Sequence, residues 1–373
     1  KSLLPNGLRD SLPPEAGWEA RAISQLLDVF HANGYDRVDP PLVEFEQSLL
    51  DGPGQVVSPQ TFRLMDPVSQ RMMGLRADIT PQIARLASTR LIHTSRPLRL
   101  SYAGQVLRVR GNQLRPERQF AQVGVELIGG PEPDADVEVV VLAAESLAAI
   151  GITDVSLDLS LPTLVPVVCQ DIGLSEGDSA RARIALDRKD PAALSGFETS
   201  TQVLLTKLLE VAGPANQAIE ALDGLVLSDR AKTMCLGLKE TVERVVSAAP
   251  DLSLTIDPVE FRGMEYQTGV SFTIFTKQVR SEVGRGGRYE LNSQESATGF
   301  TMFMDAVIRA LPEAEGETLV FIPHGSDPKS GARIRVEGWR TLQGLSACDD
   351  NLVEARRLNC SHLLQDGEII LVS

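Results

Sequence analysis

Residues 98–109 and 117–128 constrain this chain more than any other part. Both read as strands flanking a polar loop, which makes a long antiparallel hairpin. The second run alternates with period two. Arg118, Phe120, Gln122, Gly124 and Glu126 fall on one face, and Gln119, Ala121, Val123, Val125 and Leu127 on the other. The apolar face must be covered, and helices are the expected cover. The opposite face combines a carboxylate, an amide and a guanidinium with a glycine between them. Glu126 and Gln122 can take an ammonium group, and Arg108 or Arg118 a carboxylate or phosphate. On pattern alone this face is either a ligand cradle or the solvated side of an antiparallel sheet. Arg108, Arg110, Arg115 and Arg118 crowd the same hairpin, and such a cluster repels itself unless anions or acidic groups sit nearby.

The remainder supplies helices and further strands. Trp18, Ala22, Leu26, Leu27 and Phe30 recur at helical spacing after Pro13-Pro14, and Gly34 ends that helix. Residues 35–44 are extended and broken by Pro40-Pro41, which suits a strand edge or an interface. Residues 74–78 predict a strand. Thr80 then caps a helix through Leu91 with Pro81 at its first position. Asp134 caps another helix that reaches Ile150 and closes at Gly151, and 155–160 is a strand. Between 161 and 250 Ala, Leu, Glu and Lys dominate, which predicts a helical insertion. Strands return at 252–256, 269–276 and around Arg288-Tyr289. The glycines of 284–287 read as a tight turn, and 298–311 as a helix. Past an acidic linker at 314–318, a strand (319–322), two helices (331–345 and 351–358) and a last strand (368–372) predict a small α/β unit. The fold class is therefore α+β, an antiparallel sheet flanked by helices. Its main domain spans 1–160 and 251–312, a helical insertion spans 161–250, and an α/β tail spans 318–373.

Composition removes several function classes. A chain of 373 residues exceeds one hydrophobic core. Its net charge of −14 disfavours nucleic acid as a partner, because that affinity comes from Lys and Arg neutralising phosphates. Cys169, Cys235, Cys348 and Cys360 form no CxxC pair. His31, His93, His324 and His362 have no ligand spacing with them, so no metal centre is expected. Scattered cysteines fit a reducing cytoplasm. The best apolar run, 137–150, carries Glu138 and Glu145 and is too short to cross a membrane. Arg9, Asp10, Pro13 and Pro14 stand where a signal peptide needs an apolar run.

Several segments gain meaning together. Residues 35–44, the hairpin with its RQFAQVGVELIG, the stretch Arg262-Gly263-Met264-Glu265-Tyr266, the stretch Gly286-Gly287-Arg288-Tyr289, and the run from Gly299 to Ala306 occur in this order. In order and spacing they resemble the class II aminoacyl-tRNA synthetases, and within them the histidyl branch, over residues 5–311. The first segment is similar to the class II motif whose proline, here Pro41, lies at a dimer interface. The hairpin is similar to the second motif. Arg262 to Tyr266 resembles the histidine signature, with Glu265 and Gln267 where relatives usually have Asp and Tyr. The third motif should read Gly-apolar-Gly-apolar-Glu-Arg. Phe303 stands at its second glycine and Ala306 at its arginine, so bulk and a missing cation remove the nucleotide site.

A kept amino-acid face beside a lost ATP site, followed by a shortened form of the synthetase's anticodon-binding domain, resembles one family: the regulatory subunits of ATP phosphoribosyltransferase. The resemblance implies a non-catalytic subunit of the first step of histidine biosynthesis, without a cofactor. It implies a short-form catalytic subunit as partner, self-dimerisation within a hetero-octamer, and histidine as allosteric effector. It also implies that Asp78, Thr80, Arg108, Gln122, Glu126, Arg262 and Tyr266 hold histidine, with Asp78 where the synthetase has Glu. Two rival expectations stay open. One is an active histidine–tRNA ligase in which Arg309 replaces the missing arginine. The other is a docking module with a dead pocket.

Overall fold

The hairpin lies inside a nine-stranded sheet in the computed structural model, which describes residues 3–111, 115–261, 266–291, 294–312 and 318–372. Arg262 and residues 314–317 of the expected linker lie outside the described residues. The sheet order is Asp36–Arg37, Leu98–Leu107, Gln119–Ile128, Ser296–Phe303, Gly284–Glu290, Gln267–Thr276, Val155–Ser160, Ser253–Ile256 and Gly213–Pro214. The central pairs are antiparallel. The pairs Asp36–Arg37 with Leu98–Leu107, and Val155–Ser160 with Ser253–Ile256, are parallel. A smaller sheet of Val43–Phe45, Met72–Leu75 and Phe62–Met65 lies in the same compact unit, which runs from Lys1 to Leu311.

The period-two alternation of the hairpin is realised. Ala121, Val123, Val125 and Leu127 are buried in a core shared with Ala22, Leu26 and Phe30 of the Glu15–Ala32 helix and Val139, Val140 and Leu147 of the Pro133–Ala149 helix. Phe30 meets Phe300 edge to face with ring centroids 5.7 Å apart. Phe120 joins a second core on the opposite face, with Ile79, Ile83, Tyr102, Tyr289 and Phe303. Both faces of the sheet are therefore covered, and the polar side of the hairpin is not a solvated face.

Residues 161–250 form five α-helices among the described residues: Leu164–Asp171, Glu176–Asp187, Thr199–Glu210, Ala215–Asp223 and Asp229–Ala248. Ser175 and Ser228 cap two of them by accepting the amides of Asp178 and Ala231. The last helix packs on Pro133–Ala149.

Several local expectations need correction. Thr80 is the first residue of the Thr80–Ser88 helix, not its cap. Asp78 Oδ1 accepts the Thr80 amide at 3.0 Å instead, which frees the threonine hydroxyl. Asp134 is likewise inside its helix, pairs with Arg244, and leaves Glu132 at the cap position. The strand expected at 74–78 is Met72–Leu75. Residues 298–311 are a strand, Ser296–Phe303, followed by a short helix, Met304–Ala310. A strand buried on both faces has an unbroken apolar texture, and periodicity alone cannot separate that from a buried helix. The glycines of 284–287 lie within the Gly284–Glu290 strand and make no turn. A Cβ on Gly286 would lie 2.4 Å from the Gly299 carbonyl and from the Phe272 ring, so close packing is what requires glycine there.

The second compact unit runs from Pro312 to Ser373. Its sheet order is Arg340–Gln343, Leu319–Ile322, His362–Gln365 and Glu368–Leu371. Pro328–Val336 packs on one set of core residues, with Val320, Ile322 and Ile334, and Asn351–Arg357 on another, with Phe321, Ala355 and Leu363. The helix expected over 331–345 stops at Val336. Gly338 follows at φ +92°, and the chain turns into the Arg340–Gln343 strand. The His362–Gln365 strand was not expected from the sequence.

Candidate functional site

A cavity of about 790 Å³ opens on the sheet face that carries Glu126. Its wall includes Asp78, Thr80, Arg108, Glu126 and Tyr266, five of the residues singled out in the sequence. The strand register explains the gathering. Glu126 pairs with Gly299, and Gly299 with Gly287, so two glycines form the floor beside the carboxylate. Both are required there. A Cβ on Gly299 would lie 2.1 Å from Glu126 Oε2, and Gly287 has φ +147°.

Glu126 is 2% exposed. Thr80 Oγ1 donates to its Oε1 at 2.9 Å, and the Tyr289 hydroxyl donates to its Oε2 at 3.0 Å. Burial pushes its carboxyl up to about 8, against the pull of those two hydroxyls. No cation pairs with it among the described residues, so it is a buried acid waiting for one. Asp78 stands beside it. Its Oδ2 accepts from Gln122 Nε2 at 3.2 Å and lies 3.9 Å from Arg108 Nη2. Gln122 is fully buried and its Oε1 accepts the Ile79 amide at 3.0 Å. It is not in the cavity wall. It ties the start of the Thr80–Ser88 helix to the sheet and orients Asp78.

Phe303 lies on the same face, opposite Gln122. It is 2% exposed and meets Phe120 edge to face at 6.1 Å. The Arg115 guanidinium lies 3.8 Å from its ring centroid, and that of Arg108 lies 6.0 Å away. Arg115 also forms a buried ion pair with Asp305, Nη2 to Oδ1 at 3.0 Å, and approaches Glu282 at 3.7 Å. Arg285 pairs with the same Glu282. These acidic partners answer the repulsion expected within the arginine cluster. Ala306 is fully buried in the helix-covered core and is not in the cavity wall. Arg309 pairs with Glu117 at 3.2 Å and approaches Asp305 at 3.6 Å, so it does not stand in for the missing arginine. Arg118 does not reach the cavity either. Its guanidinium donates to the Arg108 and Asn6 carbonyls.

Sequence reasoning missed several residues of the wall. Tyr289 was expected on a strand but not singled out for the site, because the glycines before it read as a turn; with Gly284–Glu290 a strand throughout, period two puts Arg285, Gly287 and Tyr289 on one face. Its ring meets Tyr266 edge to face at 5.6 Å. Gln267 appeared only as a departure from the histidine signature. Glu260 had no signal at all. It is pushed up to about 7 by burial and by its neighbours Asp158 and Asp257, the latter paired with Lys189. Cys169, Cys235, Cys348 and Cys360 are free thiols, and none is in the cavity wall. Among the described residues no helix is long and apolar enough to cross a membrane.

Comparison with known proteins bears on the family of the chain. The histidyl-tRNA synthetase family model matches residues 7–307. An ATP phosphoribosyltransferase regulatory subunit from Rhodospirillum centenum is 53% identical over 99% of this chain and 96% of its own length. Another, from Paramagnetospirillum magneticum, is 50% identical over 100% of this chain and 98% of its own. A crystal structure described as an ATP phosphoribosyltransferase regulatory subunit/histidyl-tRNA synthetase from Bacillus halodurans matches with a TM-score of 0.83 at 26% identity, covering 97% of each chain. The chain belongs to the histidyl-tRNA synthetase family, in its branch of ATP phosphoribosyltransferase regulatory subunits.

Proposed function

We propose that this regulatory subunit senses histidine in the cavity beside Glu126 and passes the signal to a short-form ATP phosphoribosyltransferase catalytic subunit. The subunit is non-catalytic, needs no cofactor, binds no nucleic acid, pairs with itself as a dimer, and works in the cytoplasm within a hetero-octamer. The observation that carries the reading is the contrast within one cavity. At one end a buried carboxyl has no cation among the described residues, while at the other Phe303 fills space and Arg115 is already paired.

In this reading the histidine ammonium group sits against Glu126 and Asp78. Its carboxylate turns to Arg108, with Arg262 as a second cation, and its ring passes over the Gly287–Gly299 floor toward Tyr266. An ammonium group stabilises the ionised form of Glu126, so binding drives the proton off that carboxyl. Feedback then needs one further property. Histidine must bind one state of the assembly more tightly than the other, and that difference in affinity sets the size of the inhibition.

The test is calorimetry of the purified chain with histidine and with ATP, followed by turnover of the reconstituted complex with and without histidine. Histidine binding, absence of ATP binding by the chain alone, and histidine inhibition of the complex are expected. Histidine-dependent ATP–pyrophosphate exchange would refute the reading in favour of a ligase. Inhibition that survives Glu126→Gln and Arg262→Ala would move the effector site elsewhere.

A further inference from the structure

Two side chains of the helical insertion reach the segment that borders the cavity. Lys189, just past the Glu176–Asp187 helix, pairs through Nζ with Asp257 Oδ2. The Arg183 guanidinium of that helix lies 4.3 Å from the Phe261 ring centroid. Asp257 and Phe261 bracket Glu260, and Glu260 stands in the cavity wall.

Asp257 organises its own turn. Its amide donates to the Leu159 carbonyl at 2.8 Å, its Oδ1 accepts the Val259 amide at 3.3 Å, and its carbonyl accepts the Glu260 amide at 3.4 Å. The carboxyls of Asp158, Asp257 and Glu260 have oxygens within 4.8 Å of one another, and ionised carboxyls at that spacing repel. Thr255 Oγ1 donates to Asp158 at 2.6 Å, and Lys189 brings a cation to the group. Arg285, on the Gly284–Glu290 strand and paired with Glu282, also acts on Glu260. Burial, Asp158 and Asp257 hold the Glu260 carboxyl at about 7, and Lys189 pulls it down.

The backbone at Lys189 gives a second, independent pointer. Its φ is +55°, in the left-handed region that favours glycine. The helix closes there, with the Lys189 amide on the Leu186 carbonyl at 3.0 Å and the Asp190 amide on the Ala185 carbonyl at 2.9 Å. Glycine is the usual residue at such a closure. Lysine takes on the strain of that conformation and places its ammonium group on Asp257. Strain of this kind persists where the surrounding contacts hold it.

We infer that Lys189 is a positioning residue of the cavity: by holding Asp257 from the end of an insertion helix it fixes where Glu260 stands in the wall, and so couples the helical insertion to the cavity's occupant. The inference goes beyond the histidine reading, from which it takes only a probe. Without the ammonium group the three carboxyls press apart, and the turn that carries Glu260 relaxes away from the sheet.

The experiment uses the full chain and two readouts. One is carbon-detected NMR of labelled glutamate carboxyls without ligand, where the Glu260 signal is the one that Glu260→Gln removes. The other is calorimetric histidine affinity at pH 7. Lys189→Met loses the charge and keeps the strain, Lys189→Gly loses both, and Lys189→Arg keeps both. Met and Gly are each expected to raise the Glu260 midpoint by about half a pH unit. Each is also expected to weaken histidine binding roughly fivefold, and Arg to restore both values. In an Asp257→Asn background Lys189→Met is expected to change neither further. A midpoint shift that persists in that background makes Lys189 a charge acting on Glu260 directly and overturns the positioning role. Glycine serving as well as lysine overturns it too, because residue 189 then only closes its helix. So does histidine affinity that stays at the wild-type value in both Met and Gly variants. A wild-type chain that binds no histidine looks different: it overturns the pocket reading, and the ligand-free titrations then decide the role of Lys189.

Discussion

One face of the paired strands Gln119–Ile128 and Ser296–Phe303 has two ends with opposite chemistry. Glu126 faces Gly299 at the first, and Gln122 faces Phe303 at the second. They are four residues apart, roughly 13 Å. At the first end a glycine makes room, and two hydroxyls hold a carboxyl that has no cation among the described residues. At the second an aromatic ring fills the room, and the nearby guanidinium is stacked on it and paired with Asp305. Charge alone does not make a binding site. Arg115 is as buried as Glu126, but its interactions are satisfied inside the protein, so a ligand gains little from it. Glu126 is left wanting, and a ligand can supply what it lacks.

The contrast can be broken most severely at the filled end. Phe303→Ala removes a ring packed on Phe120 and Arg115, with an expected stability loss of about 3–5 kcal/mol in urea denaturation. A loss near zero would mean that the ring is loosely held and the space is available. Arg115→Met is next. Among the described residues it leaves buried Asp305 with the more distant Arg309, at an expected cost of about 3 kcal/mol. Replacing Asp305 by Leu in that background should recover part of the loss, which a double-mutant cycle reads directly.

At the open end the expected signature is in pH. Without ligand the folded Glu126 keeps its proton from 4.5, where the unfolded chain releases it, up to about 8. The folded state binds the extra proton throughout that window. Its stability therefore falls as pH rises from 4.5 to 8 and levels off above. Glu126→Gln is neutral at every pH and lacks this decline, so the two proteins diverge by on the order of a few kcal/mol across the window. Histidine affinity runs in the opposite direction. Its ammonium group favours the carboxylate, so affinity climbs toward pH 8 by at most about tenfold per unit. The Gln variant should flatten that climb above pH 7, where the imidazole no longer titrates.

The two ends were not equally legible in the sequence. The Glu126 end could be read because period two along one strand fixes which side chains share a face, and Gln122, Gly124 and Glu126 obeyed it. Phe303 was flagged by its departure from a motif, although its segment was taken for a helix. The substitution could be recognised without the geometry, while the partners of Arg115 could not: Asp305 and Glu282 are 190 and 167 residues away in sequence and meet it only through the sheet register. The same long-range pairing hid Tyr289 and Gln267. Glycines in a central strand and a turn look alike until the neighbouring backbone shows why a side chain cannot fit. Thr80 was misread for a related reason. It has the right chemistry for a helix cap, but Asp78 accepts the Thr80 amide and leaves the threonine hydroxyl for Glu126.

That reassignment gives the smallest and most selective prediction. Thr80→Val keeps the shape and leaves the backbone amide on Asp78, so the helix start is retained. What disappears is the hydrogen bond to Glu126 and a longer one, 3.3 Å, with the Tyr102 hydroxyl, which keeps Thr301 Oγ1 at 2.6 Å; histidine binding at neutral pH is expected to weaken by about 1 kcal/mol, roughly fivefold. The hydroxyl is the strongest single pull lowering the Glu126 carboxyl, so its loss lets that carboxyl rise further. Histidine affinity then reaches its plateau at a higher pH than in wild type, and the stability decline of the empty protein extends to a higher pH as well. A threonine that served only to start its helix would weaken binding equally at every pH and leave both profiles where they were. A direction of shift, read from two titrations of the same variant, thus separates a hydroxyl that tunes the carboxyl from one that merely fills the first turn.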